Sequence, residues 1–367
     1  MEATPDPRMS APRRGRGATH NPPVRFDREH TDPFDDGWSS LDALAQAPPP
    51  ATTLIRDASR SAISLNDSPD LGFDRAVNPY RGCEHGCVYC FARPSHAYLG
   101  FSPGLDFESK ITFKPDIARL LARELQRPGY VARPIVLGSN TDPYQPVERR
   151  LQLTRAILEV MARFSHPVAI VSKSAAMLRD LDLLQALAEK RLVRVHLSIT
   201  TLDPQLARAM EPRAASPARR LQALAALARE GIPVGVLAAP MIPGLNDAEL
   251  ERILAAAAAA GAGHAGYVLL RLPHELRELF EAWLATHRPE RARHVLSLIR
   301  ETRAGKLNEA AFHRRFRGGG FYADLLAQRF ATASRKYGFA PRRAELDCSR
   351  FSPHPDRAPA RQLMLAL

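Results

Sequence analysis

The chain has 367 residues, 45% of them hydrophobic and 25% charged, a globular composition that excludes a wholly disordered protein and leaves room for one large domain or two smaller ones. Its formal charge of +12 divides into −1 over residues 1–60, +4 over 61–270 and +9 over 271–367. The basic excess thus sits in the C-terminal quarter, where a positive face could concentrate a polyanion such as nucleic acid, or be no more than a solvated arginine-rich surface.

No stretch approaches the run of about 20 apolar residues that a membrane helix needs, and the arginines of residues 1–16 are followed by no apolar segment. Neither a membrane span nor a secretory signal is expected. Four cysteines in a chain of this length make no disulfide scaffold, so a reducing, cytoplasmic setting is the expectation. Arginine outnumbers lysine 45 to 6, which makes each lysine worth inspecting.

In chain order, residues 1–60 are rich in Pro, Arg, Asp and Ser and read as a mostly disordered or loosely attached leader. Short apolar runs rich in β-branched residues then recur at 134–137, 168–171, 193–199, 234–237 and 267–270. Helical patterns lie between them at 148–164, 175–190, 216–230 and 247–260. The spacing is that of a strand plus a crossover helix, and apolar runs without alternation suit strands buried on both faces. A short strand near 76–80 makes six. Six such strands over residues 61–272 predict a parallel β/α architecture, too few for the usual eight-stranded barrel unless the sheet stays open. Residues 273–367 read as a helical extension with segments at 275–286, 291–304 and 323–337, broken by Gly318-Gly319-Gly320 and ending in coil.

The sharpest signal is Cys83-Glu-His-Gly-Cys87-Val-Tyr89-Cys90, three of the four cysteines in the spacing C-x3-C-x2-C. Thiolates are soft ligands for zinc or for an iron–sulfur cluster, and Gly82 and Gly86 give the loop room to wrap a metal centre. A structural zinc wants four ligands; His85 or His96 could complete a Cys3His site, which keeps a non-catalytic zinc-stabilised binding module on a β/α scaffold as the alternative. With no second cysteine pair, the three thiolates otherwise suggest a cubane with one iron open to an outside ligand.

The motif, with Tyr89 just before the last cysteine, resembles the signature of radical S-adenosylmethionine (SAM) enzymes. The family fold is a partial (β/α)6 barrel with this loop after its first strand, in agreement with the strand count. The resemblance implies that Cys83, Cys87 and Cys90 hold three irons of a [4Fe–4S] cluster and that SAM chelates the fourth. It further implies an electron from a flavodoxin- or ferredoxin-type reductant, and cleavage of SAM to methionine and a 5′-deoxyadenosyl radical that abstracts hydrogen. Tyr89 would lie near the adenine, or simply cover the loop.

Catalytic groups of parallel β/α folds gather at the carboxyl ends of the strands. Strand two is followed by 138–148, small and polar; strand three by Ser172-Lys173-Ser174; strand four ends in Ser198-Ile-Thr200, with Glu211 and Arg213 beyond as a SAM- or substrate-positioning pair or a salt bridge. Strand five ends in a Pro/Gly turn at 239–247, with Asn246 or Asp247 as helix cap. The lead-in Asn78-Pro-Tyr-Arg-Gly-Cys83, together with Thr141-Asp142, Ser172-Lys173-Ser174 and Ser198, is similar to the branch that contains spore photoproduct lyase and DNA-repair-photolyase-like proteins. By that resemblance Thr141, Lys173 and Ser198 are SAM contacts and a lyase-like reaction is open; the basic C-terminal quarter makes nucleic acid a candidate substrate. One departure matters: where the lyase carries a hydrogen-donating cysteine this sequence has Ser139, whose O–H bond is too strong for that step. Cys348 reads as an incidental thiol.

Overall fold

A computed structural model describes residues 15–27, 50–341 and 345–355. Its centre is a seven-stranded sheet in the order β10-β9-β8-β7-β6-β3-β2. The strands are β2 (Ile63–Leu65), β3 (Arg75–Val77), β6 (Ile135–Leu137), β7 (Val168–Ser172), β8 (Val193–Ser198), β9 (Val234–Met241) and β10 (His264–Leu269). All neighbours run parallel except β2, which is antiparallel to β3 at one edge. The six parallel strands follow chain order without a swap and form an open, not a closed, barrel. A smaller sheet joins β1 (Thr53–Arg56) and β4 (Tyr80–Arg81) to the two sides of β5 (Lys110–Phe113).

The sequence pattern explains which face does what. Ile135, Leu137, Val168, Ile170, Val193, Val195, Leu197 and Val236 are buried in the main core together with Leu184, Leu224, Leu227, Ile253 and Leu254 of the crossover helices. Burying each such side chain contributes roughly 1.5–3 kcal/mol, so this layer dominates the stability of the scaffold. At alternate positions of β3, β6 and β7, Ala76, Val136 and Ala169 cluster on the other face under Phe73.

The helix expected over 148–164 is two helices, Glu148–Leu151 and Leu153–Arg163, because Gln152 takes a left-handed φ of 52°. Glu148 is the reason: its buried carboxylate accepts the Thr154 N–H at 3.0 Å and so caps the second helix. The C-terminal helices span Leu276–His287, Pro289–Glu301 and Phe321–Lys336, the last starting immediately after Gly320.

Two pieces of the stretch read as leader are seated on the body. Residues 15–27 run beside the cysteine loop, and β1 pairs with β5; the rest of 1–49 lies outside the described residues. Within the C-terminal stretch read as coil, Cys348–Arg350 forms a single turn and Phe351 packs on Tyr130 and His166. No described helix is long and apolar enough to cross a membrane.

The open barrel has a lateral latch. Loop 312–320 lies along the β10 edge, where the Leu269 N–H donates to the Phe316 carbonyl at 2.9 Å. From this loop Arg315 reaches Asp70, on the connection from β2 to β3, with contacts of 2.5 and 2.8 Å. The two edges of the sheet are thereby joined through side chains rather than through a ladder.

Candidate active site

The cysteine loop follows β3 and β4 and is hung from several elements. Cys83 donates its N–H to the Phe107 carbonyl at 2.9 Å, and Val88 to the Met210 carbonyl at 3.0 Å. The Gln145 side chain takes the Glu84 N–H at 2.9 Å and donates to the Gly82 carbonyl at 3.2 Å. Gly82 and Gly86 have φ of 77° and 69°, a left-handed backbone that glycine adopts without a Cβ penalty.

Beneath the loop, the fully buried pair Arg93 and Glu108 acts as a fastener. Arg93 donates to the carbonyls of Cys87, Gly86, Pro103 and Gly104 and meets Glu108 at 2.5 Å. Glu108 also accepts the N–H groups of Gly17 and Ala18 at 3.0 and 2.8 Å. The N-terminal piece therefore crosses directly over the loop, and a Cβ on Gly17 would stand 1.8 Å from the Gly86 carbonyl oxygen.

All three cysteines are free; Cys83 and Cys87 are buried and Cys90 is partly exposed. Burial pushes the Cys83 and Cys87 thiols up, well above the ordinary thiol range. Thiolates here need a cationic centre to offset the lost hydration, which is what a metal cluster supplies. Among the described residues no group of three or more His, Cys, Asp or Glu side chains is arranged to hold a metal ion. A cubane takes one thiolate on each of three irons and does not require the sulfurs to converge on one point. The donor set of three soft ligands on a glycine-hinged loop fits such a cluster.

Tyr89 and Lys173 are brought together. The Lys173 ammonium lies 5.6 Å from the centre of the Tyr89 ring, and its charge acts on the Cys87 thiol. The Tyr89 hydroxyl meets Thr200 at 3.0 Å and Glu211, which is itself paired with the buried Arg220. Glu211 and Arg213 do not pair with each other: Arg213 instead meets Glu84, at 3.1 Å. Ser198 is buried at the end of β8, its carbonyl accepting from Arg220 at 2.9 Å. The Thr141 hydroxyl donates to the Tyr80 carbonyl at 3.1 Å, which leaves its lone pairs as acceptors.

Asp142 is the residue whose role sequence reasoning missed. Its carboxylate takes the Ser172 hydroxyl and the Lys173 N–H, both at 2.7 Å, and faces His85 Nδ1 at 3.3 Å. Burial alone would push this carboxyl up, but His85 and the two donors outweigh it and hold it at about 2. One side chain thus locks the cysteine loop to the ends of two strands. Asn246, expected as a helix cap, is buried and bridges the carbonyls of Thr200 and Pro240 at 2.7 and 3.0 Å, joining the ends of β8 and β9.

A cavity of about 490 Å³ opens at the ends of β3 and β6, bordered by Asn78, Tyr80, Arg81, Lys114, Ser139 and Asn140. Asn78 donates to the Ser139 hydroxyl at 3.1 Å and accepts the Asn140 N–H at 3.2 Å. Ser139 therefore lies at the rim of a space large enough for a substrate group.

Sequential parallel strands with a thiol-rich loop at their carboxyl end define a β/α enzyme built around a cofactor. The chain belongs to the radical SAM superfamily, whose family model matches residues 77–257. It is 36% identical over 286 residues to uncharacterised proteins of Mycobacterium tuberculosis and Mycobacterium bovis, covering 76% of this chain and 79% of theirs. An uncharacterised protein of Methanocaldococcus jannaschii is 28% identical over 185 residues, 50% of this chain and 67% of its own.

Among solved structures, spore photoproduct lyase mutants superimpose with TM-scores of 0.56 and 0.54 at 17% and 18% identity, over 78% of this chain and 80% of theirs. One of these holds AdoMet and a dinucleoside spore photoproduct. At that identity the likeness concerns the fold. The protein is accordingly a radical SAM enzyme, of a superfamily that uses SAM and an iron–sulfur cluster, and the alternative of a non-catalytic zinc module gives way.

Proposed function

We propose that the chain holds a [4Fe–4S] cluster on Cys83, Cys87 and Cys90 and uses it to cleave SAM reductively, the resulting 5′-deoxyadenosyl radical taking a hydrogen atom from a substrate. The observation that carries this reading is the placement of the three free thiols after the first of six sequential parallel strands, with Lys173 and Tyr89 beside Cys87. The protein's own task is to bind, orient and exclude water.

In this reading Lys173 supplies a cation for the SAM carboxylate, held in place through its backbone by Asp142. Thr141 offers acceptor lone pairs to the SAM amino group, Ser198 lines the same strand ends, and Tyr89 backs the ligand. The cavity bordered by Ser139 and Asn78 takes the substrate. A serine in place of a hydrogen-donating cysteine argues against hydrogen return by the lyase route. The electron comes from a flavodoxin- or ferredoxin-type protein, and a cytoplasmic setting agrees with the sparse cysteines. Nucleic acid as the substrate class is supported by the +9 balance of residues 271–367.

Reconstitution under argon followed by iron and sulfide assay tests the reading. About four irons per chain and release of 5′-deoxyadenosine from SAM with dithionite are expected. Replacing Cys83, Cys87 or Cys90 by Ala should remove both. Lys173→Ala should weaken SAM binding and leave iron in place; equal iron loss in the two classes of variant would overturn the division of roles.

A further inference from the structure

Arg271 stands two residues beyond β10, at the carboxyl end of the sixth parallel strand. Among the described residues no carboxylate pairs with its guanidinium, and its Nε is buried without a hydrogen-bond partner. Its neighbours are two rings, Phe91 and Phe316, each with its centre 5.5 Å from the guanidinium carbon. Arg315 continues the series at 4.7 Å from Phe316 and 5.0 Å from Phe312. Ring and cation therefore alternate in the order Phe91, Arg271, Phe316, Arg315, Phe312. Arg315 is ion-paired with Asp70; among the described residues Arg271 has no such pair, and Asp70 acts on it only through its charge. Burial and the charge of Arg315 press against the Arg271 cation more than Asp70 supports it, and an arriving anion would relieve them.

The strip is built rather than incidental. The buried Arg303 donates to the carbonyls of Leu269, Leu270, Arg314 and Arg315, fixing loop 312–320 to the strand end. Gly319 donates to the Thr302 carbonyl at 3.0 Å, and Gly318, at φ 73°, has that same oxygen 2.9 Å from where a Cβ would sit. The strip also starts at the cysteine loop, since Phe91 follows Cys90. Phe91 and Phe312 are 50% and 51% exposed, an unusual display of two large rings beside cations.

An acidic peptide would use the cations but not the rings, and a lipid surface would use contiguous apolar area rather than an alternation. Alternating flat rings and positive charge match the alternation of base and phosphate along a single strand. We propose that Phe91, Arg271, Phe316 and Phe312 form a binding strip for single-stranded nucleic acid, with a phosphate on Arg271 and bases stacked on the exposed rings. This deepens the substrate class of the proposed function and rests on that reading for its purpose, not for the binding itself.

Fluorescence anisotropy of a labelled oligothymidylate of about 12 nucleotides, titrated with the reconstituted full chain at about 50 and about 200 mM salt, tests it. Saturable binding that weakens with salt is expected. Arg271→Ala should weaken binding about tenfold and reduce the salt slope by about one. Phe312→Ala, which removes an exposed ring and should fold normally, should weaken it by at least about fivefold. Arg293→Ala, an exposed arginine of the Pro289–Glu301 helix outside the strip, should change nothing. Absence of binding at low salt, equal effects of Arg271→Ala and Arg293→Ala, or displacement by an acidic peptide as effective as by unlabelled oligonucleotide would each overturn the proposal. SAM cleavage assayed without oligonucleotide fails or succeeds separately, so loss of the radical reading is told apart from loss of the strip.

Discussion

The buried His85 Nδ1 and the Asp142 Oδ2 face each other at 3.3 Å, and this contact ties the middle of the cysteine loop to the strand end after β6. Asp142 simultaneously anchors Ser172 and Lys173. Asp142→Asn keeps the shape but turns an amide toward two donors. It should cost about 1–3 kcal/mol in urea denaturation and lower the iron retained after desalting. Wild-type stability and iron content in this variant would contradict the role of Asp142 as a lock.

Glu108 is the only counter-charge that meets Arg93 among the described residues, and both are fully buried. Glu108→Gln leaves a buried guanidinium unpaired and should destabilise the fold by about 3–5 kcal/mol. The double variant Arg93→Met, Glu108→Leu removes both charges and should be milder. Chemical denaturation of the two proteins side by side is the check; a double variant worse than the single one would reject the fastener as an ion pair.

Gly17 passes so close to Gly86 that a methyl group cannot be accommodated. Gly17→Ala should lift residues 15–27 from the loop and speed tryptic cleavage after Arg16, whose side chain is held by the Glu108 carbonyl at 2.7 Å. Unchanged cleavage kinetics would show that this piece does not depend on the close approach.

His96 and His166 give the protein a pH dependence of defined sign. Burial lowers each to about 4. Unfolded, each binds its proton near the ordinary value of about 6.5, so the unfolded chain holds more protons in between. The stability they contribute is complete above about 6.5 and is lost as pH falls through 4, by up to about 3 kcal/mol each. His96 is buried edge-on to Phe107, a site that suits an aromatic ring, so His96→Phe should flatten the slope of urea stability between pH 6.5 and 4. A slope identical to wild type would reject the assignment.

The six-stranded scaffold was legible because strands buried on both faces must be apolar along their length, as at 168–171 and 193–199. The cysteine spacing was legible because ligand chemistry is local. Asp142 was not, since Asp-Pro after a strand also suits a turn and its partners lie 30 residues and more away. Residues 15–27 and 50–60 read as leader because they bind through backbone and buried polar contacts, such as Thr52 to Glu84 at 2.7 Å, rather than through a periodic apolar face. The aromatic strip was hidden because Phe91 comes from the cysteine loop and Phe312 and Phe316 from the C-terminal extension. Only the fold brings them into one row.

Asp70 and Arg315 are separated by 245 residues, and this has a consequence during synthesis. A ribosome delivers Asp70 early and Arg315 late, after every strand of the sheet has emerged. A nascent chain can thus lay down every strand of the sheet while the flank stands ajar, and the bolt that shuts it arrives only with Arg315.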